Sequence, residues 1–104
     1  MIVRIWRGST AAENAERYER HALDTVFPSL STIPGHRGAI LLRRETANGA
    51  EFLALTLWDG MHSVRGFAGE DTEVAEVEPE ARAALAEFDD FARHFTVACW
   101  DVST

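Results

Sequence analysis

The sequence predicts an α+β fold of the ferredoxin-like, split-βαβ kind, with element order βαββαβ and a four-stranded antiparallel sheet. Three observations carry that expectation. A β-branched and aromatic run opens the chain at residues 2–7, and an apolar stripe at helical spacing follows it. Two long apolar runs then flank Asn48-Gly49. That order puts strands one and three at the centre of the sheet. The 104 residues are expected to form one domain spanning 1–104.

Each element has its own signal. Residues 2–7 form the first strand. Thr10-Ala11-Ala12-Glu13 fits a capping box, in which the threonine oxygen and the Glu13 carboxylate satisfy free first-turn amides. Ala11, Ala15, Tyr18, Ala22, Val26 and Leu30 then recur every three or four residues, one face of a helix. Glu13 with Arg17, and Glu16 with Arg20, are i,i+4 pairs on the opposite face. Pro28 ends or kinks this helix, and Ile33-Pro34-Gly35 is a turn. Residues 38–44 and 51–58 form strands two and three, joined at Asn48-Gly49 because both residues tolerate positive φ. Asp59 caps a short helix carrying Met61, Val64, Phe67 and Ala68 and stopped near Gly69. Asp71 caps a turn with Val74 and Val77, and Pro79 opens a helix with Ala81, Ala84, Leu85 and Phe88 inside. Residues 93–102 alternate and form the last strand.

Two helical segments cover only one face of such a sheet, so the other face should alternate polar and apolar. Strand three does not: from 52 to 58 six of seven residues are apolar, with Thr56 the exception, and Ile40-Leu41-Leu42 is continuous. Both faces call for burial, and the economical answer is a homodimer, sheet against sheet. Composition argues against nucleic-acid and membrane partners. The ten basic residues are all arginine and stand against 17 acidic ones, a net charge of −7, which argues against nucleic acid. No apolar run approaches the length of a membrane span, and the first residues lack a signal peptide's pattern. With a lone cysteine, Cys99, expected to pack as a small buried hydrophobe, the chain reads as cytoplasmic.

Pro34-Gly35-His36-Arg37-Gly38 leads into strand two, Leu57-Trp58-Asp59 passes from strand three into a helix with Phe67, and Arg93-His94-Phe95-Thr96-Val97 closes the chain. In these pieces the sequence resembles the antibiotic biosynthesis monooxygenase family over nearly its whole length. The resemblance implies the dimeric α+β barrel fold. Family members include cofactor-free oxygenases of aromatic polyketides and haem-degrading enzymes. The haem-degrading pattern calls for an asparagine on the first strand, plus a histidine and a tryptophan in the second helical region. This chain has only Asn14 and Asn48, Phe67 stands where the tryptophan would fall, and the histidine position falls near Val77 or Glu78. The resemblance therefore implies no haem here.

No nucleophile elbow, phosphate loop or zinc spacing is present, and neither a metal nor another cofactor is expected. His21 and His62 sit among charged helix residues and read as solvated, and His36 lies at a turn. His94, in the last strand among apolar neighbours, is either a proton shuttle or a hydrogen-bonded strand-end residue. Trp58 shares a strand face with Phe52, Ala54 and Thr56. The small Ala54 and Thr56 leave room beside a large ring, so Trp58 either walls a pocket for an aromatic ligand or fills the core. Arg4 shares a face with Trp6 and needs a partner when buried, either a substrate anion or a glutamate across the dimer. Cofactor-free oxygenation needs a dry pocket, a group favouring the substrate anion and a proton donor. Arg4, Trp58 and His94 are the residue types for those catalytic roles, with Trp6, Ala54, Thr56 and Phe67 as pocket residues. The expected function is a cofactor-independent monooxygenase acting on a small aromatic or quinone-like molecule. The other reading is a non-catalytic dimeric module that binds a hydrophobic ligand or serves as a structural unit.

Overall fold

The computed structural model describes residues 1–103. Strand β1 (Ile2–Ala11) is longer than its apolar core, because Gly8 to Ala11 continue to pair with the start of β3. Thr10 is therefore a buried strand residue, and no capping box forms: the turn Ala12–Asn14 has no side-chain cap. The helical arm continues as α1 (Ala15–His21), a wide turn (Ala22–Val26) and α2 (Phe27–Leu30). In the wide turn the Phe27 N–H reaches back five residues to the Ala22 carbonyl. Pro28, which has no N–H to give, is accommodated there without breaking the arm.

Strands β2 (His36–Thr46) and β3 (Gly49–Trp58) form the expected hairpin. Its two loop residues are Ala47 and Asn48, one position earlier than the Asn-Gly reading, and no non-glycine residue among those described takes a positive φ. Gly49 is required for closeness instead: a Cβ there would collide with the Thr10 carbonyl on β1. Helix α3 (Met61–Ala68) starts from Gly60 and not from Asp59, whose carboxylate is held by Arg37. It stops at Gly69, at φ +82°, as expected. Helix α4 (Pro79–Ala84) is shorter than predicted, because Leu85 is already extended.

The last strand is broken. Strand β4 (Glu87–Phe88) pairs with Gly8 and Ser9, and β5 (Arg93–Thr96) pairs with Ile2 to Ile5 along the same edge of β1. Between them Asp89 still donates its N–H to the Arg7 carbonyl on β1, and residues 90–92 then leave the sheet, with Asp90 and Ala92 bonding the backbone of Ala75 and Glu73. The sheet is antiparallel, in the order β2-β3-β1-β4 with β5 also on β1, so five strands occupy the four expected positions. Past Thr96 the alternation of residues 97–102 is not used in a ladder, and Cys99, expected in the core, is exposed.

The helices cover the face that carries Arg4, Trp6, Phe52, Ala54, Thr56 and Trp58. They bury two separate clusters. Tyr18, Phe52, Ala81 and Ala84 form one, and Leu30, Trp58, Val64 and Ala68 the other. Glu16, expected to pair with Arg20, and Glu19 turn from the arm to Arg43 on β2, at 2.7 and 3.2 Å. The opposite face presents Val3, Ile5, Leu53, Leu55, Ile40, Leu42 and Phe95, and neither cluster draws on it. Ile40, Leu42 and Phe95 are 43–52% exposed. No helix among the described residues is long and apolar enough to cross a membrane.

Candidate functional site

Because the two clusters do not meet, the space between them is open. Ala22, Ala54 and Thr56 are too small to fill it, and a cavity of about 420 Å³ remains between sheet and helices. That lies within the range of about 300–1,000 Å³ usual for small-molecule sites. Trp6 and Ala81 contribute walls from the first cluster, and Phe27, Leu30 and Phe67 from the second. Glu76 and Glu78 lie on its border.

Five residues singled out from the sequence line this cavity: Arg4, Trp6, Ala54, Thr56 and Phe67. Their convergence follows from register, since Arg4 pairs with Thr56 and Trp6 with Ala54 across β1 and β3. Trp58 and His94 do not reach the cavity. Trp58 is fully buried, stacks on Phe67 at 5.7 Å and donates its indole N–H to the Thr56 hydroxyl at 2.8 Å. It supports two wall residues from behind. His94 pairs with Arg4 on the neighbouring strand and lies 2.9 Å from a guanidinium nitrogen.

Arg4 is 4% exposed. Its guanidinium donates to the Thr72 carbonyl, to the Val74 carbonyl at 3.0 Å and to His94. These bonds use three of the five N–H groups an arginine carries. The partner expected of Arg4 was a substrate anion or a glutamate; its main partners are backbone carbonyls, which tie residues 72–74 to β1. Burial pushes its pKa below the ordinary arginine value, and the Glu76 carboxylate offsets part of that. The guanidinium also lies over the Phe67 ring, 5.5 Å from its centroid.

Tyr18 and His21 are among the lining residues that the sequence did not mark as part of a site. Tyr18 is buried against Phe52, with ring centroids 4.8 Å apart. Burial pushes its hydroxyl pKa up to about 12, so at neutral pH it is a hydrogen-bond donor. His21, read as solvated, is only 9% exposed and lines the cavity. Its Nδ1 lies 2.9 Å from a Glu80 carboxylate oxygen and its Nε2 3.6 Å from one of Glu78. Neither nitrogen has an aligned hydrogen bond, and both are shut off from water. Leaving such a group unpaired costs about 1–3 kcal/mol. The signal was available: His21 is three residues beyond Tyr18, on the shoulder of the apolar stripe.

Solved structures share this architecture. A Bacillus cereus protein provisionally assigned to the antibiotic biosynthesis monooxygenases superposes with a TM-score of 0.65 at 10% identity, over 100% of this chain and 97% of its own. SnoaB of Streptomyces nogalater, a cofactor-independent oxygenase solved as a point mutant, has a TM-score of 0.65 at 17% identity, with 95% of each chain covered. The fold is that of the antibiotic biosynthesis monooxygenases. The same monooxygenase fold serves MhuD, a heme degrader of Mycobacterium tuberculosis solved with two hemes in its active site, at a TM-score of 0.62 and 17% identity over 99% of this chain and 100% of that one. No protein-family model and no curated protein sequence matches the chain.

Proposed function

We propose that the chain is a cofactor-independent monooxygenase of a small phenolic or quinol-like aromatic molecule. The observation that carries this reading is the cavity between the two clusters, apolar on most of its walls and with few polar groups. Aromatic rings of Trp6 and Phe67 flank a ligand, while Arg4, Tyr18 and His21 supply the polar contacts. An oxygenase of known cofactor independence with this fold adds support.

The chemistry asks little of the protein. An electron-rich phenolate passes an electron to dioxygen, and the two radicals combine at a ring carbon. Loss of water then leaves a quinone. One oxygen atom ends as the new carbonyl and the other as water, which takes the phenolic hydrogen and one ring hydrogen. The protein excludes bulk water, favours the anion and handles the proton. Arg4 and Tyr18 are the donors for the anion. His94 and Trp58 act behind the wall, as positioning residues for Arg4 and for Phe67 with Thr56.

The working form in this reading is a cytoplasmic homodimer, with the uncovered sheet faces against one another. Leu42, Ile40 and Phe95 would otherwise leave a contiguous apolar face in water. The test is oxygen uptake by chelator-treated protein across a panel of phenols and hydroquinones. Uptake with one equivalent of quinone formed is the expected result. Ligand binding without uptake across the panel would favour the binding-module reading.

A further inference from the structure

We propose that His21, backed by Glu80, is the proton acceptor of the cavity, taking the hydroxyl proton of the bound aromatic ligand at Nε2. This rests on the reading of the cavity as a substrate pocket, and deepens it by naming the group that ionises the substrate. A neutral imidazole has one donor and one acceptor nitrogen, and it is satisfied only between an acceptor and a donor. The groups facing the two nitrogens of His21 are carboxylates, Glu80 at Nδ1 and Glu78 at Nε2, and an ionised carboxylate only accepts. The other ionisable residues on the cavity wall are Tyr18 on the same helix, Arg4 from β1 and Glu76. In its neutral form this buried imidazole has a lone pair that no group of the folded chain serves. A ligand O–H is the donor it lacks.

The position suits the task. His21 is the last residue of α1, where the arm widens into the turn at Ala22, and its side chain is 8% exposed. Glu78 is half exposed and lies 3.6 Å from Nε2, too far for a hydrogen bond, so its carboxylate can swing into water as a ligand hydroxyl takes its place. In the transfer the ligand O–H bond breaks, an Nε2–H bond forms and the oxygen keeps the electron pair. The resulting imidazolium donates from Nδ1 to Glu80, which holds the ring and favours its charge. Glu80 is a positioning residue, and no electron changes hands in this step.

The probe is 4-nitrophenol, whose phenolate and phenol forms absorb at different wavelengths, bound to the whole protein about one pH unit below its own ionisation. The expected result is a phenolate spectrum for the bound probe. His21→Gln should lower the phenolate-to-phenol ratio at saturation by about tenfold or more, one pK unit. Glu80→Gln, at a position 75% exposed, should lower it about threefold with the melting temperature unchanged. If His21→Gln does not fold, the Glu80→Gln ratio decides alone. A wild-type probe that binds as the neutral phenol, or variants that keep the wild-type ratio, would overturn the assignment of His21 and leave the pocket reading standing. Absence of binding to the wild type at millimolar probe overturns both.

Discussion

Arg4 and His94 face each other across β1 and β5, with a guanidinium nitrogen 2.9 Å from the imidazole Nε2. Arginine has no acceptor, so the Nε2 lone pair receives the bond and the His94 ring is neutral, with its proton on Nδ1. Burial, and then the Arg4 charge, hold the His94 pKa below its ordinary value, against a smaller opposing effect of Glu73. Of the two readings the sequence offers for His94, this geometry is that of the hydrogen-bonded strand residue, which accepts from Arg4 and does not line the cavity.

That pairing sets a pH dependence. Below the ordinary histidine value of 6.5 the unfolded chain binds a proton at this site that the folded chain refuses. Stability contributed here is present above 6.5 and is lost as pH falls from there toward the depressed folded value. His36, lowered chiefly by burial, acts in the same direction. Urea midpoints should decline between pH 7.5 and 5.5, and His94→Gln should flatten that decline. An equal slope in the variant would assign it to other groups.

Trp58→Phe is expected to separate support from contact. The substitution removes the indole donor from the Thr56 hydroxyl and leaves a gap beside Phe67, costing about 1–3 kcal/mol of stability. Ligand affinity should change by less than a few fold, because the ring does not reach the cavity. Calorimetry and titration with one aromatic ligand check both halves. A large affinity loss in a variant as stable as wild type would return Trp58 to the binding surface.

Gly49→Ala tests why the hairpin carries glycine at this position. The added methyl meets the Thr10 carbonyl, so β1 and β3 must move apart, and a loss of well over about 1 kcal/mol is expected. Asn48→Ala should be mild, since Asn48 has a negative φ. Paired denaturation curves of the two variants make the comparison.

The uncovered sheet face gives a prediction of assembly. Wild type should sediment near twice the chain mass of 11.6 kDa. Ile40→Asp places a charge on a residue already 43% exposed in one subunit, so it should yield a folded species of single-chain mass. Wild type sedimenting as a folded monomer at micromolar concentration would remove the dimer from the proposed function.

The course of the fold was legible because its signals are local. Alternation, the 3.6-residue stripe and the hairpin residues each act over a few positions, and the elements they mark are present. What stayed hidden depends on where chains meet. The capping box at Thr10 was lost because ten residues of β1 find partners on β3, and pairing outweighs a cap. The last strand looked continuous because nothing local in residues 86–92 announces that Asp90 and Ala92 will bond Ala75 and Glu73. At the site, the face holding Arg4, Trp6, Ala54 and Thr56 could be read from period two alone. His21 could not be weighed properly from its charged sequence neighbours, because its surroundings are set by α4, more than fifty residues away in the chain.

The stretch from Thr72 to Val74 is held by the Arg4 guanidinium on one side and by two backbone bonds to residues 90 and 92 on the other. It belongs to neither core cluster, so few apolar contacts oppose its release. In a hydrogen-exchange experiment the amides of Ala75 and Ala92 should behave as one small cooperative unit, opening at a free energy well below that of the β1–β3 ladder. The same stretch leads directly to Glu76, Val77 and Glu78 on the cavity border. Its detachment would widen the entrance while the sheet stays intact, so the slowest ligand exchange rates should track the protection of two amides rather than the melting of the protein.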